Sequence, residues 1–248
     1  MVVMDPSCAS QSAAGRCRIL HFVSTFESKT DTKWLYRLLP RIDSDEFEFS
    51  VACFYGGGAM REKFDALGIA TFDLDIPLEY DPRAILRARN LIQETRCQLV
   101  HTHLLRADLF AGAAARWAGV PVVSTVYARG EFRRAAKRRS DRLLDTACAA
   151  LPNHVIAVSG AVRDDLVQRM NMSPTDISVV HTGIDAPPEI ARDRIGAVRK
   201  SWGIGDGESL IVTVARLSYE KGIDTLVEAA VRLRSTHPRA RIVVVGDG

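Results

Sequence analysis

An α/β protein built on doubly wound parallel sheets is what the sequence predicts, and three observations carry that prediction. Short runs rich in β-branched residues recur along the chain, amphipathic stretches separate them, and glycines, prolines and capping residues mark the changeovers. Parallel strands need crossover connections, so this alternation places helices on both faces of a sheet.

The elements follow in order. "RILHFVST" (18–25) reads as a buried strand, and "DTKWLYRLL" (31–39) as a helix closed by Pro40. "EFSVACF" (48–54) is the second strand, running into the turn "YGGG", and a short strand follows "GIATF" up to Pro77. Asp81 as N-cap and Pro82 in the first turn open a helix through "RAILRARNLIQETR". "QLVHTH" (98–103), "VPVVSTVY" (120–127), "HVIAVS" (154–159) and "ISVVH" (177–181) are further strands. "RADLFAGAAARWAG" is a helix ending on Gly119, where a C-cap belongs. "RGEFRRAAKRRSDR" (129–142) reads as one helix with "LLDTACAAL", with Phe132, Leu143, Leu144 and Ala147 toward the core. Residues 18–186 thus form one Rossmann-like domain behind a disordered lead-in, 1–17.

Pro187-Pro188 and a helix within 186–208 read as a connection, after which the alternation restarts with "SLIVTVA", "GIDTLVEAAVRLRS" and "RIVVV". Residues 187–248 therefore hold a linker and one β-α-β unit with strands read as buried, too little to enclose a core alone.

Composition narrows the function classes. A hydrophobic content of 47% with 25% charged residues fits a soluble globular protein, and a net charge of +3 is too small to argue for nucleic acid. Five cysteines without a CxxC or zinc spacing fit buried thiols in a reducing, cytoplasmic setting. The exception to the even charge is 129–142, with seven Lys/Arg against two acids. A solvated face explains such a run; the functional alternatives are docking to an anionic membrane surface or to an acidic acceptor.

The sharpest constellation is "VARLSYEKGIDTLVEAA" (214–230). Arg216 follows a strand directly, Lys221 comes five residues later, and Gly222 opens a helix whose Ile223, Leu226, Val227, Ala230 and Leu233 keep core-face spacing. A helix N-terminus beyond a strand's carboxyl end already favours anions, and a guanidinium and an ammonium beside it suit a diphosphate. On the strand ending in "HTH", His101 and His103 share one face, with His103 nearer the carboxyl end. His101 reads as packed within the domain, and His21, His154, His181 and His237 show no ligand constellation. "DLD" (73–75) has the spacing of a divalent-cation pair, but Leu74 reads more simply as a buried residue between two exposed acids.

"VARLSYEKGIDTLVEAAVRLRSTHPRARIVVVGDG" resembles the signature of glycosyltransferase family 4. The resemblance continues backwards through "ISVVHTGID", "HVIAVSGAVRDDL" and "LVHTHLLRADLFAGAAARWAGVPVVSTVY", covering nearly everything from Arg18. It implies a GT-B-type fold: a complete acceptor-side Rossmann-like domain, and here the first β-α-β unit of a nucleotide-sugar-binding one. It implies retaining, metal-independent transfer from a nucleotide diphosphate sugar to a hydroxyl on a lipid, glycan or small molecule, without a cofactor or a protein nucleophile. Arg216 and Lys221 match the pair that holds the donor diphosphate, and His103 matches the catalytic-cleft histidine. Thr25 and Tyr127 are candidates for the acceptor side of the cleft. Many relatives act on lipid-linked acceptors, so the resemblance gives weight to a peripheral place at the inner membrane face for a protein whose cysteines suggest the cytoplasm.

Several departures qualify the match. "FESKTDTKW" stands where a Gly-Gly loop often approaches the donor, Tyr127 where a histidine is frequent, and Thr182 in the place of an asparagine. The units that follow "VGDG" in the family, with two spaced glutamates, are not in the sequence, so the expectation is a fragment with little activity of its own. The alternatives are a non-catalytic acceptor-binding or interaction module, and a nucleotide-sugar epimerase of the same architecture.

Overall fold

The computed structural model describes residues 15–27, 30–76, 81–104, 107–128 and 148–248. The chain divides into two compact units, Met1–Ile184 and Asp185–Gly248. Most of the expected lead-in lies outside the described residues, and Cys17 already belongs to the first strand.

Among the described residues the first unit is organised on seven strands, all paired in parallel: β1 (Cys17–Thr25), β2 (Phe47–Tyr55), β3 (Ala70–Asp73), β4 (Leu99–His103), β5 (Val122–Val126), β6 (His154–Ala157) and β7 (Ile177–Val179). Their order in the sheet is β3-β2-β1-β4-β5-β6-β7. The chain winds outward to one edge, then returns to the middle and winds to the other. The reversal falls between β1 and β4, and in open α/β sheets ligands bind beyond the carboxyl ends at such a point.

The period of two sorts side chains onto the two faces. Leu20, Phe22, Ala52, Phe54, Val100 and Val122 meet α3 (Arg83–Thr95) and α4 (Ala113–Ala118) through Ala84, Ala88, Ile92, Ala114 and Ala115. Val23, Val51 and Cys53 meet α1 (Thr30–Leu38) and α2 (Met60–Ala66) through Leu35, Met60 and Phe64. Each fully buried Leu or Phe contributes about 1.5–3 kcal/mol, so these two layers dominate the unit's stability. A third cluster joins Val126, Val155 and Ile177 to α5 (Gly160–Met170) through Val162 and Leu166.

Local signals act as chemistry dictates. Gly119 ends α4 in the left-handed region, φ 72°. α3 starts one residue later than the sequence suggested, with Pro82 rather than Asp81 at the N-cap, and Asp81 Oδ1 accepts from the Arg83 backbone N–H at 2.9 Å in the turn before it. A five-residue π-turn, Asp108–Gly112, precedes α4 where an unbroken α-helix was expected. α2 does not stand out in the sequence pattern because it is only seven residues long, set between the glycine turn and "LGIA". The helix expected at 129–142 lies outside the described residues.

The second unit carries α6 (Arg192–Ser201), then β8 (Ser209–Val214), α7 (Ile223–Thr236) and β9 (Ala240–Val245), with β8 and β9 paired in parallel. The sequence suggested buried strands here, and the structure corrects that: no residue from 185 to 248 is buried. Two strands and one covering helix cannot enclose side chains on both faces, so Val214 is 77% exposed. The helical periodicity survives in part. Ile223, Leu226, Ala230 and Leu233 are half-buried, while Val227 is exposed.

Candidate functional site

On the first unit the candidate residues collect at the carboxyl ends of the central strands. β1 and β4 set His21 directly opposite His101 in register. His103, two residues on, is fully buried. Its Nε2 is 3.1 Å from His21 Nδ1, and its Nδ1 is 2.8 Å from the Tyr127 hydroxyl just past β5. His101 Nε2 is 2.8 Å from Thr125 Oγ1. Trp34 of α1 packs against the group, 6.3 Å from the His103 ring and edge-on to Tyr127 at 6.1 Å.

Burial favours the neutral form of His21 and His103, and of His101 as far as its half-buried ring is enclosed. It lowers His101 to about 4, and it lowers His21 and His103 well below the usual histidine value, with repulsion from the neighbouring histidines adding to the effect. The residue after β4, Leu104, takes φ 73°, an uncommon region for a side chain of its bulk.

This arrangement corrects one reading and refines another. His21 was read as having no constellation, yet it forms the one three-residue group with metal-ligand spacing among the described residues, with His101 and His103. The available signal was an imidazole at the centre of an otherwise apolar strand. For His103 the resemblance implies a place in the catalytic cleft, and the structure adds that its Nε2 faces His21 and its Nδ1 faces Tyr127. Tyr127, half-buried, is the outer member of the set. Thr25 Oγ1 accepts from the Glu27 N–H at 2.9 Å, shaping the turn out of β1.

The opposite face of β4 and β5 holds a second polar group that pattern reading missed. Asp108 is buried and accepts from Thr102 Oγ1 at 2.5 Å and Ser124 Oγ at 2.6 Å. Burial pushes its carboxyl up to about 6, against the pull of those two hydrogen bonds.

The stretch after β1, which lacks the glycine pair frequent in the family, is packed closely by a neighbouring turn. Gly58, in the "YGGG" turn after β2, comes so close that a Cβ there would lie 2.2 Å from the Phe26 carbonyl. Of the "DLD" stretch, Leu74 is buried, and Asp73 accepts from the N–H groups of Gly57 and Asp75. That is the role of turn carboxylates.

In the second unit, Arg216 and Lys221 sit on the single loop from β8 to α7. Arg216 Nη2 is 2.7 Å from Glu220 Oε1, in an exposed ion pair. Lys221 ends a 3-10 turn, Tyr219–Lys221, and Gly222 follows at φ 63° to start α7. Two glycines of "VGDG" clamp this loop. A Cβ on Gly246 would lie 1.8 Å from the Ala215 carbonyl oxygen, and one on Gly248 would lie 2.5 Å from that of Leu217. The Leu217 N–H donates to Asp247 O at 2.8 Å, so the backbone on either side of Arg216 is held by β9 and its turn.

The chain matches two sequence families: Glycosyltransferase Family 4 over residues 32–186, and Glycosyl transferases group 1 over residues 195–248. It is 30% identical over 173 residues to a glycogen synthase of Mycobacterium tuberculosis, covering 67% of this chain and 40% of that one. It is 25% identical over 224 residues to an Escherichia coli UDP-Gal:alpha-D-GlcNAc-diphosphoundecaprenol alpha-1,3-galactosyltransferase, covering 86% and 57%. The fold is similar to that of Anabaena HepE in complex with UDP and glucose, with TM-score 0.70, 18% identity, and coverage of 94% of this chain and 62% of that one. The chain thus spans about half the length of these curated relatives. With its first unit matched over most of its length, the chain belongs to glycosyltransferase family 4.

Proposed function

We propose that the protein grips the diphosphate of a nucleotide sugar with Arg216 and Lys221 and serves retaining, metal-independent transfer of a hexosyl group to a hydroxyl acceptor. The observation that carries the proposal is the cationic loop between β8 and α7, pinned by the glycines of β9's turn. In such a reaction the bond between the anomeric carbon and the phosphate oxygen breaks, and its electron pair stays on the leaving diphosphate. The acceptor oxygen bonds to the carbon on the same face, and its proton passes to the departing phosphate. Fixed cations stabilise the charge that develops, which is where catalytic interactions are most effective. On the acceptor side, His103 would act through the Tyr127 hydroxyl, since both its nitrogens are engaged.

The relatives support particular first choices. The HepE complex holds UDP and glucose, which favours a uridine diphosphate sugar as the donor to try. The E. coli relative's name gives a diphosphoundecaprenol-linked acceptor, which favours a lipid-linked one and a peripheral contact of the basic run 129–142 with anionic membrane.

Because the chain spans only part of its relatives, binding rather than turnover isolates the claim. Calorimetric titration of the 248-residue chain with UDP should give saturable binding. Arg216→Ala should weaken it about 10- to 100-fold, the worth of one charge-assisted contact. Equal UDP binding by wild type and Arg216→Ala would overturn the proposal and favour the non-catalytic module.

A further inference from the structure

The three histidines at the β1/β4 reversal have one feature that the proposed function does not use. His21 Nδ1 and His103 Nε2 are 3.1 Å apart, while the ring centroids are 5.4 Å apart and the planes differ by 22°. The two nitrogens therefore lie between the rings and face each other, as in a hydrogen bond. A zinc ion would sit about 2.0–2.1 Å from each nitrogen along its lone pair, which both rings would have to turn to allow.

The direction of that hydrogen bond follows from the other nitrogen. His21 Nε2 is buried and has no hydrogen-bond partner among the described residues. A neutral imidazole carries one N–H and one lone pair. A proton on His21 Nε2 would be an orphaned buried donor, rarer in native proteins than an under-satisfied acceptor. The proton accordingly belongs on Nδ1, facing His103.

We propose that His21 is a positioning residue that sets the tautomer of His103. It donates Nδ1–H to His103 Nε2, which fixes the His103 proton on Nδ1. His103 then donates to the Tyr127 oxygen, and the Tyr127 proton is directed away from the ring. The relay so presents Tyr127 as a hydrogen-bond donor, suited to an acceptor-sugar or phosphate oxygen. Only that last assignment rests on the proposed function; the proton order stands on the geometry of the first unit.

Long-range 1H–15N correlation spectra of the 15N-labelled 248-residue chain at pH 7.5 test the order directly. The rings of His21 and His103, assigned by loss of their signals in His21→Asn and His103→Gln, should both carry the proton on Nδ1. This is the opposite of the Nε2–H form that a free imidazole favours in water. His21→Leu should move the His103 Nε2 shift toward that of a bare nitrogen without a partner. His21→Asn, whose amide N–H can replace Nδ1–H, should restore it, which loss of packing alone would not predict. A proton on Nε2 of His103 in the wild type overturns the proposal, and that measurement decides even if His21→Leu fails to fold. Retention of one equivalent of Zn2+ through gel filtration, lost in His21→Asn, would also overturn it and make the cluster a metal site.

Discussion

At β4 the two faces of the sheet carry titratable groups that respond oppositely to acid. Burial raises the Asp108 carboxyl from the ordinary 3.8 to about 6 in the folded protein. Its contribution to stability is therefore fully present below about 4 and lost as pH rises through about 6. His21, His101 and His103 have folded values below 6.5, so their contribution is present above 6.5 and lost as pH falls; for His101 the loss runs down to about 4. Asp108→Asn keeps an oxygen for the Thr102 and Ser124 hydroxyls but carries no charge. Urea unfolding should show it about 2–3 kcal/mol more stable than wild type at pH 7.5, each pKa unit being worth about 1.4 kcal/mol. The gap should close near pH 4. Equal stability at pH 7.5 would mean that the carboxylate is better solvated than its burial implies. For His101→Gln, the expected result is a shallower loss of stability between pH 6.5 and 4 than in wild type.

At the scale of elements, the loop from β8 to α7 is shaped as much by β9 as by its own residues. Gly246→Ala would drive a methyl group into the Ala215 carbonyl, which backbone cannot yield without breaking the pairing beside Arg216. The expected outcome is loss of UDP binding comparable to Arg216→Ala, with the pH-dependent unfolding of the first unit unchanged. Retained affinity would show that the loop holds its own shape. The same loop shows what was legible in advance. Arg216, Lys221 and the opening of α7 were readable because strand, cation and glycine are adjacent in sequence, whereas the clamp joins residues thirty positions apart and appears only when β8 and β9 pair. Likewise His103 stood out at a strand end, while its partners His21 and Tyr127 reach it from β1 and from beyond β5. Asp108 looked like an ordinary first-turn acid until the sheet placed Thr102 and Ser124 over it.

At the scale of the molecule, the two units differ in how they are held. The first has three apolar clusters, and the second has no buried residue. Hydrogen exchange should therefore find slow amides in β1, β2 and β4 and fast ones throughout 185–248, since local opening is cheap where few apolar contacts oppose it. Protection in β8 and β9 equal to that in β1 would contradict this. Charge adds a separate expectation. Vesicles with a third of anionic lipid should co-sediment the chain at low salt, and glutamine at the seven basic positions of 129–142 should abolish this, at about 1 kcal/mol per charge near the surface. One last consequence belongs to the sheet itself. Because its seven strands all point the same way, every carboxyl end opens on one rim, and the amino-terminal rim around Arg16 and Glu46 faces away from the histidines. A fluorophore or surface tether attached at Glu46 would leave the rim that carries His103 and Tyr127 unobstructed.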